Sequence, residues 1–208
     1  MKKRLKSIIL CHIFLPFQAL AQMHTDDMNY WIEKYQSVSY PLKSIHISSS
    51  YGKRADPFTG KGRFHQGIDL EAKYEVVFAM FDAEIKRVGY DPMSGNFITL
   101  KAGNYTISYC HLSEIWVKED ELVYAGQELG RSGSTGRATG PHLHISCRLH
   151  GKIENPYHLL TFVRDTQLKA VDALGLNKDI KLSPEDFLRT YAPQAMHQQR
   201  KYGIPASV

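Results

Sequence analysis

The stretch Ser134–Cys147, STGRATGPHLHISC, sets a glycine-rich loop directly ahead of an alternating run in which one leucine separates His142 from His144. On a strand, residues i and i+2 face the same way. His142 and His144 are therefore expected to project together, with Leu143 and Ile145 on the other side, as a site wall backed by a core. The same pattern also occurs on exposed strands, so its meaning depends on what the rest of the chain supplies. The loop GRSGSTGRATGP lacks the Gly-Lys-Ser/Thr ending of a phosphate cradle and runs into a strand rather than a helix. Its expected role is to let backbone pass close to a groove, with Gly140 and Pro141 setting the approach of His142.

Working outward, the chain from Ile45 to Cys147 reads as short apolar or alternating runs: EVVFAM, EIKRVGY, NFITLKAG, YTISYCHL and HLHISCRL. Turn-rich pieces such as DPFTGKG and DPMSGN separate them. The expected fold class is mainly β, an antiparallel sheet built from hairpins with little helix. Residues 22–40 form a lead segment with a short helix expected near Tyr30–Gln36. After Asn155-Pro156, residues 157–174 carry helical spacing, and Ser183-Pro184 reads as an N-cap followed by a first-turn proline. No internal repeat or low-complexity tract is present.

The first residues combine a basic start (Lys2, Lys3, Arg4, Lys6), an apolar run from Ile8 to Phe17 and the small-residue end Ala19-Leu20-Ala21. This is the layout of a secretory signal peptide, with cleavage expected after Ala21. The run is about half the ~20 residues that span a bilayer and is broken by His12 and Pro16, which disfavours an anchor. Gln22 rather than a cysteine directly follows Ala21, so a lipoprotein is not indicated. Removal of these residues would lower the net charge from +5 to about +1, so the basic balance gives no argument for nucleic acid. Of three cysteines, Cys110 and Cys147 would then remain, free to bridge in an oxidising compartment or to stay as two buried thiols.

Two further pieces carry chemistry. In RFHQGIDLEA, His65 and Asp69 are four apart, and Gly67 with its β-branched surroundings argues for strand or turn rather than helix. His111 ends the alternating run YTISYCH. Neutral imidazole and carboxylate are ligands that zinc accepts, and a catalytic zinc keeps three protein ligands and one open position. His65, Asp69 and one of the two strand histidines supply that count. The other strand histidine and His111 would remain free to move protons or to hold a developing oxyanion.

The run SSSYGKRADPFTGKGRFHQGIDLEA, then GNFITL, SYCHLS, AGQELGRSGSTGRATGPHLHISC and ENP, resembles the LytM/lysostaphin-type zinc endopeptidases of the M23 peptidase family, over roughly residues 41–156. The resemblance implies a two-sheet, mainly antiparallel β structure, the duplicated hybrid motif, with its site in a groove. It implies His65, Asp69 and His144 as ligands of one Zn2+, and His111 and His142 as catalytic histidines beside the activated water. The family's usual substrate is the peptide part of bacterial peptidoglycan, reached after export to the periplasm or cell envelope. A monomer with no stable membrane insertion after signal cleavage is expected. The division implied is a signal peptide (1–21), a lead segment (22–40), a catalytic domain (41–156) and a helical extension (157–208).

Arg54 and Asn96 fall at family-typical positions and are expected to be structural. YEVV at Tyr74–Val77 and VKEDEL depart from the family pattern, as does Cys110 before His111, and no tyrosine lies between Gly52 and His65. Simple alternation from His111 and His144 turns both Cys110 and Cys147 away from the site. The alternative function is a non-catalytic relative that recruits another hydrolase, but such relatives lose site positions and here none is lost. Latency, with Asn29, His24 or Asp26 filling the open position, is a further possibility that the spacing does not demand.

Overall fold

A computed structural model describes residues 26–175, and the expected signal peptide, His24 and the Ser183 helix lie outside the described residues. Chain order is α1 (residues 26–36), β1 (Ile47–Ser49), β2 (Gly52–Ala55), β3 (Gly62–His65), β4 (Gly67–Glu71), β5 (Val76–Phe78), β6 (Ala83–Asp91) and β7 (Gly95–Ala102). There follow β8 (Tyr105–Leu112), β9 (Glu114–Ile115), β10 (Leu122–Val123), β11 (Glu128–Arg131), β12 (His142–Leu149), β13 (Lys152–Glu154) and α2 (Tyr157–Ala173). The described residues fall into two compact units, 36–167 and 26–35 with 168–175. No helix among them is long and apolar enough to cross a membrane.

The larger unit holds an antiparallel sheet in the order β1-β4-β12-β8-β7-β6-β10, with β13 on the end of β12, and a three-stranded sheet β5-β11-β9. The alternation read from the sequence determines which face is buried. Ile68 and Leu70 of β4, Leu143 and Ile145 of β12, Ile107 and Tyr109 of β8, and Ile98 and Leu100 of β7 form one buried cluster. Val77 of β5 and Leu129 of β11 belong to the same cluster, so the smaller sheet covers this face. Each such aliphatic contributes about 1.5–3 kcal/mol by leaving water. The Tyr109 hydroxyl is kept inside by accepting the Met80 amide at 3.3 Å. The opposite face, carrying His144, is left for the site.

α2 starts where the sequence expected a boundary: the Asn155 side chain accepts the Tyr157 amide at 3.0 Å, with Pro156 between them. Its Leu159 and Leu160 join the main cluster. In the smaller unit, Tyr35 and Ala170 are buried together, packed by Trp31, Val171 and Leu174.

The structure corrects the expectation for the cysteines. Cys110 is the register partner of His144 and therefore shares the site face, whereas Cys147 pairs with Ile107 and Glu154 and joins the core. The cause is a bulge: Asn96 opposes Leu112 but Ile98 opposes Tyr109, so Cys110 and His111 together face Phe97. His111 takes the left-handed conformation at φ 63 and donates its amide to Ser94 at 2.7 Å. Two successive side chains consequently turn toward one face, which strict alternation forbids. The two thiols lie on opposite faces, and neither is in a disulfide.

Burial pushes the Cys110 thiol up to about 12 and the Cys147 thiol up to about 11. Protein lacking residues 1–21 should therefore resist alkylation at neutral pH while folded, yet take two labels once denatured without reductant. Labelling that requires prior reduction would contradict this arrangement.

Candidate metal centre

The site is assembled on three adjacent strands. In the register of β4 with β12, Asp69 opposes His144 and Glu71 opposes His142, and β8 brings Cys110 against the other side of His144. His65 comes from the end of β3, two residues before β4 begins. His111 arrives through the bulge. All five positions expected from the sequence thus converge on one groove of about 990 Å³.

The hydrogen bonds of the imidazoles fix their protons. His65 Nδ1 lies 2.9 Å from the Ser50 carbonyl, His111 Nδ1 2.8 Å from the Thr135 carbonyl and His142 Nδ1 2.8 Å from the Gly140 carbonyl. A carbonyl oxygen only accepts, so each Nδ1 carries the proton and each neutral ring keeps a lone pair at Nε2. His144 is turned the other way. Its Nδ1 is 2.7 Å from Asp69 Oδ1 and 3.2 Å from His65 Nε2, and its ring lies over Gly67. A Cβ on Gly67 would come within 2.5 Å of that ring, so only glycine leaves the imidazole its place.

This geometry tests whether a metal fits. His65 Nε2 and Asp69 Oδ1 are 3.2 Å apart, and a neutral His65 has no proton to put between them. One proton on His144 Nδ1 cannot serve both neighbours. Three electron-pair donors therefore converge with too few protons among them, and His65, Asp69 and His144 keep their ligand atoms within 4.8 Å of one another. A divalent cation accepts all three, and two imidazoles with one carboxylate form a donor set suited to zinc. The residues fit the group.

Asp69 is oriented from both sides. Arg54 Nη2 holds its Oδ2 at 3.3 Å, leaving Oδ1 to the imidazoles. Burial acts to raise the Asp69 carboxyl, but the hydrogen bonds and charges of His144 and His65 outweigh it and hold the group far below the usual carboxylate range. Arg54, expected as structural, thus acts on the site through Asp69. Burial is the main cause pushing His111 down to about 4, helped by His142 and His144 and opposed by its hydrogen bond to Thr135. Burial also lowers His144, against the pull of Asp69. The His111 and His142 rings stand 4.7 Å apart beside the three donors.

Close backbone approach explains the glycine loop. Gly95 at φ 65 and Gly136 at φ 68 abut: a Cβ on Gly95 would lie 2.4 Å from Thr135, and one on Gly136 2.2 Å from the Gly95 nitrogen. That contact puts the Thr135 carbonyl against His111, and Asn96 braces it by donating its amide to Thr135 Oγ1 and its side chain to Leu112. The groove wall is tied by an ion cluster the sequence reading missed. Buried Asp56 accepts Arg137 at 2.8 and 2.9 Å and Arg63 at 3.0 Å, and Arg137 stacks on Phe58 at 4.3 Å. The Arg63 hydrogen bond is the largest influence holding Asp56 well below the usual range, against burial and with help from the Phe58 and Thr59 amides. Arg137 is 81 residues from Asp56, and no local pattern announces that pairing.

Comparison with known proteins bears on the family and the fold. The family model described as Peptidase family M23 matches residues 63–156. Peptidoglycan DD-endopeptidase ShyC of Vibrio cholerae is 35% identical over 119 residues, 56% of this chain and 28% of that protein. The chain spans about a third or less of the curated relatives it matches. A crystal structure of a zinc containing peptidase from Vibrio cholerae superposes with TM-score 0.53 at 32% identity, covering 58% of this chain and 39% of that one. The catalytic domain of the prophage-encoded M23 protein EnpA of Enterococcus faecalis gives TM-score 0.51 at 31% identity, and 95% of that domain is covered, against 58% of this chain. With the fold and nearly the whole of an M23 catalytic domain matched at 31% identity, the chain belongs to peptidase family M23.

Proposed function

We propose that the chain is an exported zinc metalloendopeptidase that hydrolyses peptide links of bacterial peptidoglycan and acts as a monomer in the periplasm or cell envelope. The observation that carries the reading is the convergence of His65 Nε2, Asp69 Oδ1 and His144 Nδ1 beside two further imidazoles with free Nε2 lone pairs. The named activity of ShyC supports the substrate class. Zinc held by those three donors would supply a Lewis acid that polarises the scissile carbonyl and brings a water's pKa toward neutrality.

The protein's own residues do the rest. With Nδ1–H committed to the Gly140 carbonyl, His142 presents Nε2 as a base that takes a proton from the attacking water. His111, kept neutral at pH 7 by burial, offers a second such base at Nε2. Neither ring can donate from Nε2 until it has accepted a proton. The same proton can then stabilise the developing oxyanion or pass to the leaving amine. Arg54 keeps Asp69 turned so that one carboxylate oxygen faces the cluster. The presence of all five site positions weighs against a purely structural relative.

Incubation of isolated muropeptides with protein lacking residues 1–21, followed by mass spectrometry, should show cross-linked peptides cut, with the fragments identifying the bond. His142→Ala should lower turnover by about 10²-fold or more, and a strong chelator should abolish it. Undiminished cleavage in the chelator would contradict the proposal. Arg54→Ala should weaken zinc affinity by about 10–100-fold through its hold on Asp69, read by competition with a metallochromic chelator. An unchanged affinity would show that Arg54 only supports the hairpin.

A further inference from the structure

The groove floor continues along β12 past the cluster. His142, His144, Ser146 and Arg148 share one face, and the register across β8 sets Ser108 beside Ser146 and Thr106 beside Arg148. Gly67 is the last β4 residue opposite this run, and β13 takes over with Ile153 beside Arg148. The floor between metal cluster and Arg148 is therefore made of Gly67, Ser146 and Ser108, and Thr99 extends it at 3.0 Å from Ser108. None of these floor residues is larger than threonine, which suits an extended peptide lying flat along them.

Four arginines line the groove. Three are engaged by carboxylates: Arg54 by Asp69, and Arg63 and Arg137 by Asp56. Arg148 is different. Its hydrogen bond goes to the Gly151 carbonyl at 3.3 Å, its strand neighbours Thr106 and Ile153 are uncharged, and no carboxylate pairs with it among the described residues. Lys73, the other groove cation without an ion pair among the described residues, lies beyond Glu71 at the opposite end. A planar guanidinium with spare donors at the end of a shallow floor matches one chemical group above others, a carboxylate taken by parallel N–H bonds.

We propose that Arg148 reads a free carboxylate on the peptide substrate, so that this end of the groove is an anion subsite that sets specificity. The proposal rests on the peptidase reading above. Two strand steps of two residues put Arg148 about 13 Å from His144, which places the carboxylate within about four extended residues of the bond cut. Two parts of a stem peptide could supply it, the branch carboxylate of a diamino acid or a terminal carboxylate.

The test is kcat/KM for four peptides on wild type and Arg148→Gln. They form two matched pairs, free acid against amide, one pair at the branch position and one at the terminus. Amidation in one pair should cost the wild type about tenfold, as expected for a charge-assisted hydrogen bond at an accessible site. The same change should cost Arg148→Gln less than about twofold if the contact is gone. The pair that shows the loss identifies which carboxylate is read. Because each ratio is taken within one enzyme, a partly inactive variant preparation does not affect it. Equal amide penalties in both enzymes, or none in the wild type, would overturn the subsite while leaving the peptidase reading intact. A wild type that cleaves none of the four would overturn both.

Discussion

Three main-chain carbonyls, those of Ser50, Thr135 and Gly140, dictate which atom three of the four site histidines present to the groove. Each takes the Nδ1 proton of one imidazole and thereby turns an Nε2 lone pair into the groove. Imidazole alone would exchange tautomers freely; tied in this way it is a ligand or a base from one defined atom. Much of the surrounding architecture keeps those carbonyls in place. The bulge at His111 and the contact of Gly95 with Gly136 bring Thr135 to its ring. The bridge from His142 to Gly133 folds the loop so that Gly140 stands beside its own neighbour's ring.

The other half of the design is Asp69. Its register against His144 gives one oxygen to the imidazoles, and Arg54 occupies the other. The charge on this buried carboxylate is sustained by the groups around it, and a cation shared among Asp69, His65 and His144 would satisfy lone pairs that protons alone cannot. The hairpin that carries Arg54 is held to the glycine loop through Asp56, Arg137 and Phe58, so groove wall and donor set are positioned together.

Much of this was legible in the sequence because strand periodicity is short. The alternation at His142–Ile145 separated site from core correctly, and Gly67 argued against a helix joining His65 to Asp69. The α2 boundary at Asn155-Pro156 followed from a change of pattern, whereas the second, smaller sheet was implied only by the family resemblance. What stayed hidden depends on distant or irregular geometry. A left-handed histidine has no compositional signal, and missing it put Cys110 on the wrong face. The Asp56–Arg137 tie joins remote residues, and the role of Arg54 emerges only when its strand lies over Asp69. The contrast between Arg148 and the three paired arginines likewise exists only in three dimensions.

If the converging donors His65, Asp69 and His144 hold one zinc, the neighbouring imidazoles His111 and His142 are not needed to bind it. Equilibrium dialysis of protein lacking residues 1–21 against buffered zinc, with metal counted per chain, measures this directly. Wild type and His142→Ala should each carry one zinc, and His65→Ala should lose it. Full occupancy retained by His65→Ala, or lost by His142→Ala alone, would contradict it.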